Sequence, residues 1–146
     1  MRLAFVLTLL SVFVVSVPTG EASELLFNRG QSTIELKSKE GKSIGTWEAK
    51  NNVVKTAKPF PDGSWAFDYH KAHKDDGPNS AYGSHGIFVF KVPGRTGLGV
   101  HSGRANAKNN PGPAHPTIGC IRTTDAAMQA ILKQHGNDPI TRIVVK

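Results

Sequence analysis

Only one stretch of this chain, Ala127-Met128 followed by Ile131-Leu132, spaces its apolar residues as one face of a helix does. Elsewhere the apolar residues alternate with polar ones or fall in short runs punctuated by Gly, Pro and Asn. Thr33-Ile34-Glu35-Leu36-Lys37 has the period of a half-buried strand, Glu40-Gly41-Lys42 supplies a turn, and residues 43–49 read as the second arm of a hairpin. Val53-Val54 reads as the start of a further strand. Pro59-Phe60-Pro61-Asp62-Gly63 is a turn cluster, since proline presets one dihedral and glycine accepts positive φ. Trp65-Ala66-Phe67-Asp68-Tyr69 alternates again, and residues 71–80 form a polar loop. Residues 86–92 are the best candidate for a buried strand, closed by Pro93-Gly94, and the short apolar stretch 98–101 follows. Residues 103–116, rich in Asn, Gly and Pro, read as a long surface loop of the kind that often carries function. Residues 118–121 are expected as a short strand or turn in the core. Thr123 or Thr124 is the expected N-cap of the helix, Asp125 favours its dipole, Gly136 ends it, and residues 140–145 form a last strand. No repeat or linker divides this pattern, which predicts a mainly β, β-rich α+β domain with one main helix near the C-terminus.

The first residues read as a leader rather than as part of that domain. Met1-Arg2 is a short positive start, residues 3–17 are almost continuously apolar, and Pro18 is followed by the small residues Gly20 and Ala22. This is the layout of a secretory signal peptide over residues 1–22, with the domain over residues 23–146. The run is shorter than the ~20 residues a bilayer-spanning helix needs, so no stable membrane insertion is expected after cleavage. The expected location is the periplasm or cell envelope. The net charge of +7 suits anionic surroundings such as wall polymers, lipid headgroups or an acidic substrate. Scattered basic residues, few aromatics and no recognisable motif argue against a nucleic-acid partner.

Export sharpens the meaning of Cys120, the only cysteine. It cannot close an internal disulfide, and in an oxidising compartment a lone cysteine is either well buried or kept as a thiol for a purpose. It lies in Thr117-Ile118-Gly119-Cys120-Ile121-Arg122, downstream of Gly99-Val100-His101-Ser102-Gly103. A cysteine attacks a carbonyl as the thiolate, so a nearby base or cation must help populate that form. His101 is placed to serve as base and later to protonate a leaving amine. A glycine before the nucleophile lets the backbone approach substrate and lend N–H groups to an oxyanion. In an extended chain Arg122 shares a face with Cys120, where it could pair with a substrate carboxylate. Alkylation separates the two readings: a catalytic Cys120 is expected to react readily near neutral pH, and a buried one to resist until the protein unfolds.

Val100-His101-Ser102-Gly103, an intervening loop and Thr117-Ile118-Gly119-Cys120-Ile121-Arg122 resemble the active-site signature of the L,D-transpeptidase catalytic domain (YkuD-like) family. The resemblance extends over residues 83–92 and the helix and strand after the signature, which covers most of the domain. It implies a small β-sandwich-like domain carrying a helix. It also implies a peptidoglycan tetrapeptide stem as substrate, attacked at its third residue by Cys120 to expel D-alanine and leave a thioester. His101 would be the base, the Ser102 carbonyl would orient it, and N–H groups around Gly119 and Cys120 would form the oxyanion hole. Arg122, His85, Thr117 and His115 are the candidate substrate-binding residues. The acceptor would be an amine of a second stem or of a wall-linked protein, or water for hydrolysis. No metal or cofactor is expected. The signature usually carries a second histidine two residues before the cysteine, where this chain has Ile118.

Other chemistries fit less well. His70, His73, His85, His101, His115 and Cys120 offer the N and S ligands zinc prefers, but His70 and His73 flank a loop rather than sharing a helix face. A cysteine-first peptidase order has only His135 as a later histidine, and no nucleophile-elbow glycine pattern supports a serine hydrolase. Three alternatives remain beside acyl transfer: a hydrolase on the same stems, an effector aimed at a competitor's wall, and a non-catalytic wall-binding module.

Overall fold

In a computed structural model the chain is described over residues 22–73 and 76–146. The expected leader, apart from its last residue, lies outside the described residues. Eight strands, one α-helix and a 3-10 turn follow one another: β1 (Ser23–Asn28), β2 (Thr33–Lys37), β3 (Ser43–Lys50), β4 (Gly63–Lys71), β5 (Ile87–Phe90), β6 (Gly99–His101), the turn Gly112–Ala114, β7 (Ile121–Thr123), α1 (Asp125–Asn137) and β8 (Ile140–Val145). The β-rich pattern with a single helix is as expected. The strands close into a barrel in the order β1-β2-β3-β7-β6-β5-β4-β8, with β3 and β4 each shared between the two sheets that form its walls. β1–β8 and β6–β7 are parallel pairs, and the other neighbours are antiparallel.

Alternation in sequence becomes alternation in burial. Ser23, Leu25 and Phe27 of β1 and Ile34 and Leu36 of β2 point inward, while the residues between them are half-buried. Ile140, Ile143 and Val145 do the same from β8. All four residues of β5 are buried, because one face meets the core and the other is covered by Phe67 of β4 and by the ring of His135 from α1. Burying such a side chain fully contributes about 1.5–3 kcal/mol, so Phe88 and Phe90 are central to the stability of this wall.

The helix begins where Thr124 accepts a hydrogen bond from the Ala127 N–H at 3.1 Å. It buries Ala127, Met128 and Ile131 against the core, and Leu132 is only partly covered. Gly136 lies inside its last turn, which runs on to Asn137. Two expectations are corrected. Val53-Val54 makes no strand: Val53 forms an isolated bridge with Thr117, and no further strand is there to continue the ladder. Residues 118–120 form a turn before β7 begins at Ile121, with Gly119 and Cys120 buried as expected, but Ile118 is turned out rather than into the core, 79% exposed. Among the described residues no helix is long and apolar enough to cross a membrane.

Candidate active site

The parallel pairing of β6 with β7 places His101 opposite Arg122 and Val100 opposite Ile121. Cys120 therefore sits just before β7 and lines the same cleft as Arg122. Cys120, His101, Arg122, Thr117 and Ile118 all line one cleft of about 300 Å³, together with Tyr82, Leu98 and the 94–97 turn. Cys120 and His101 are 7% and 3% exposed, so both reach the cleft from a nearly buried position.

The imidazole is held firmly. His101 Nδ1 lies 2.7 Å from the carbonyl oxygen of Ser102, which can only accept, so Nδ1 carries the proton and Nε2 is left as the basic nitrogen. Ser102 is anchored in turn. Its hydroxyl donates to the Asp125 carboxylate, and its carbonyl also accepts from the Arg122 guanidinium at 2.9 Å. Asp125 further accepts from the hydroxyl and the N–H of Ser84, so the first turn of α1 ties the 80–84 loop to the end of β6. Burial alone would raise the Asp125 carboxyl, but the bonds from Ser102 and Ser84 outweigh it and hold the group below the ordinary carboxylate range. Gly83 is needed at this junction: its φ is 72°, and a Cβ there would collide with the Ser102 hydroxyl. Tyr82 packs against the His101 ring at 4.9 Å between centroids, and His73 stacks on Tyr82 at 3.9 Å.

Burial sets the resting protonation. It pushes the His101 imidazole down to about 4, helped by the nearby Arg122 charge and opposed by the Ser102 carbonyl. It pushes the Cys120 thiol up, against the smaller opposing pull of the Gly99 backbone N–H, Arg122 and Arg95. The sulfur's hydrogen bond goes to the Gly97 carbonyl at 3.7 Å rather than to the imidazole. At neutral pH the free protein thus holds a neutral thiol and a neutral imidazole on the walls of one cleft. The cations near the sulfur do not outweigh its desolvation. Burial, then Arg104, brings Arg122 down to about 10, so it stays charged at neutral pH.

The other sequence candidates separate. Arg122 gives its Nε and Nη1 donors to the carbonyls of Ala81, Ser102 and His115, so part of its role is to brace three backbone segments around the cleft. The Thr117 hydroxyl accepts from the Gly119 N–H at 3.1 Å and donates to the Cys120 carbonyl at 2.7 Å. Gly119 has φ 141°, a conformation that a side chain would strain, which accounts for the glycine without invoking substrate. His85 and His115 do not line the cleft. The carbonyl of His85 is taken by His70 Nε2, and the ring of His115 turns to the Asn109 carbonyl. His70 and His73 likewise face different neighbours, and among the described residues no three His, Cys, Asp or Glu side chains gather as metal ligands would.

Three contributors went unread in the sequence as parts of the site. Asn51 donates to the carbonyls of both Gly119 and Cys120, at 2.9 Å each. Arg95 lines the cleft and donates to the carbonyls of Lys58 and Pro59. Asp125 was legible only as a helix-starting residue. Each acts across a long sequence separation, and only the turn signal at Pro59 hinted that the chain returns there.

The family model described as YkuD, L,D-transpeptidase catalytic domain, matches residues 12–144 of this chain. No curated protein matches it. Among solved structures, the crystal structure of the L,D-transpeptidase from Xylanimonas cellulosilytica superposes with a TM-score of 0.58 at 18% identity. The alignment covers 92% of this chain and 65% of that one, so the chain spans less than two thirds of that structure and the likeness is one of fold.

Proposed function

Since the chain belongs to the L,D-transpeptidase catalytic domain family, we propose that it is an exported cysteine acyltransferase of the cell envelope acting on peptidoglycan tetrapeptide stems. The observation that carries this reading is the convergence of Cys120, His101 and Arg122 on one cleft, with Nε2 of His101 left as the basic nitrogen. Substrate enters with the carbonyl of its third residue over Cys120. The thiol proton passes to Nε2 as sulfur attacks, and the carbonyl π electrons move to oxygen. The tetrahedral intermediate collapses, the C–N bond to D-alanine breaks, and the imidazolium protonates the departing amine. A thioester on Cys120 remains. An acceptor amine then attacks it, loses a proton to His101 and releases the thiol. Ser102 acts through its carbonyl as the orienting group, and Asp125 holds Ser102. Thr117 and Ile118 form the wall beside the nucleophile. The leader-like residues 1–22 support export.

Mass spectrometry of the purified domain mixed with tetrapeptide muropeptides tests this directly. The expected result is an acyl adduct on Cys120 with loss of D-alanine, absent in Cys120→Ala. Turnover retained by that variant refutes the cysteine mechanism. Product without cross-link or amine adduct moves the assignment to hydrolysis, and no adduct at all leaves a wall-binding module.

A further inference from the structure

The turn that presents the nucleophile is clamped from outside the cleft. Asn51 follows β3 directly and lines a separate hollow with Phe27, Arg29, Lys50 and Asn52. Its Nδ2 faces two acceptors, the carbonyls of Gly119 and Cys120. Its Oδ1 faces two donors, the Phe60 N–H at 2.7 Å and the Arg29 guanidinium at 2.9 Å. Reversing the amide would set donor against donor and acceptor against acceptor, so its orientation is fixed by four partners. Of the two N–H groups that the sequence offered to an oxyanion, that of Gly119 is already given to Thr117 Oγ1. The other belongs to Cys120. In a planar trans peptide the N–H of Cys120 points opposite to the carbonyl of Gly119. That carbonyl is drawn toward Asn51, which lines the separate hollow and not the cleft, so the N–H is aimed away from Asn51.

We propose that Asn51 is a positioning residue for acyl transfer: by holding the Gly119 carbonyl it aims the Cys120 amide at the oxyanion, and Arg29 and Phe60 hold Asn51 in turn. This rests on the acyl-transfer reading given above. In the attack step the negative charge that develops on the substrate oxygen is met by the Cys120 N–H, and the thiol proton goes to His101 as before. Asn51 touches neither substrate nor sulfur, and its effect is confined to reactions that generate an oxyanion.

Two rates on the same thiol separate that role from a merely structural one. Acylation by a tetrapeptide muropeptide passes through an oxyanion. Alkylation by iodoacetamide displaces iodide at a saturated carbon and does not. Asn51→Asp keeps the size of the side chain and its contact with Arg29 but turns an oxygen on both carbonyls. Its acylation rate is expected to fall by about 10²-fold, seen in kcat with KM little changed, while its alkylation rate stays within about twofold of the parent. Equal losses in both rates, or no loss in either, overturn the proposal. If Asn51→Asp does not fold, Asn51→Ala and Arg29→Gln are read by the same pair of rates with the same criteria. A parent protein that alkylates but never acylates defeats the functional reading itself, whereas a parent that acylates and an equally fast variant defeat only the role of Asn51.

Discussion

A thiol and an imidazole that share a nearly dry corner both resist charge, and at Cys120 and His101 that resistance moves their titrations apart. The proton must therefore move during attack rather than before it. Alkylation of Cys120 by iodoacetamide is expected to be slow at pH 7 and to keep rising beyond pH 9, following a thiol whose titration burial has raised. A flat rate from about pH 5 to 8, the mark of a preformed thiolate–imidazolium pair, would contradict the neutral resting state. At this scale the sequence was informative where chemistry is local. The signature around Cys120 and His101 pointed to four residues that do line the cleft: Cys120, His101, Arg122 and Thr117. His85 and His115, the other histidines it brought in, are not among the residues lining the cleft. It was silent on Asn51, because a bond from Asn51 to Gly119 spans 68 positions and leaves no local pattern.

Among the elements, α1 does more than fill the core. Its first turn carries Asp125, which holds Ser102 and so the orientation of His101. Thr124→Ala removes the hydroxyl that caps this turn and is expected to cost ~1 kcal/mol, measured as a lower urea midpoint at unchanged m-value. A loss near zero would mean that the tie from Asp125 to Ser84 and Ser102 holds the turn alone. Elements were legible wherever period and partner agreed. β2 and β8 occupy the residues their patterns marked, because each is half-buried and flanked on both sides. Val53-Val54 had the composition of a strand but no neighbour beyond a single bridge, and composition alone does not make a ladder. The outward turn at Ile118 was hidden for a related reason: an isoleucine beside a glycine reads as core until the positive φ of Gly119 is seen.

For the whole molecule the buried imidazole links stability to acidity. In the unfolded chain His101 takes up a proton near pH 6.5, whereas in the folded one it does so only at about 4. Between these values the unfolded state binds more protons. The contribution is therefore complete above pH 6.5 and is lost as pH falls toward 4, amounting to about 3 kcal/mol. Burial also lowers His135, which acts in the same direction. Urea unfolding at pH 7.5 and pH 4 is expected to show the loss, and His101→Gln should flatten most of it. A pH-independent midpoint in the parent protein would show that the imidazole is charged inside the fold.

The barrel closes through its last strand, since β8 lies between β1 and β4 and pairs with both. A chain still emerging from the ribosome lacks that stave, and until it arrives β1 and β4 each present an open edge to any sticky neighbour. Completion of the wall thus waits until residues 140–145 have been made.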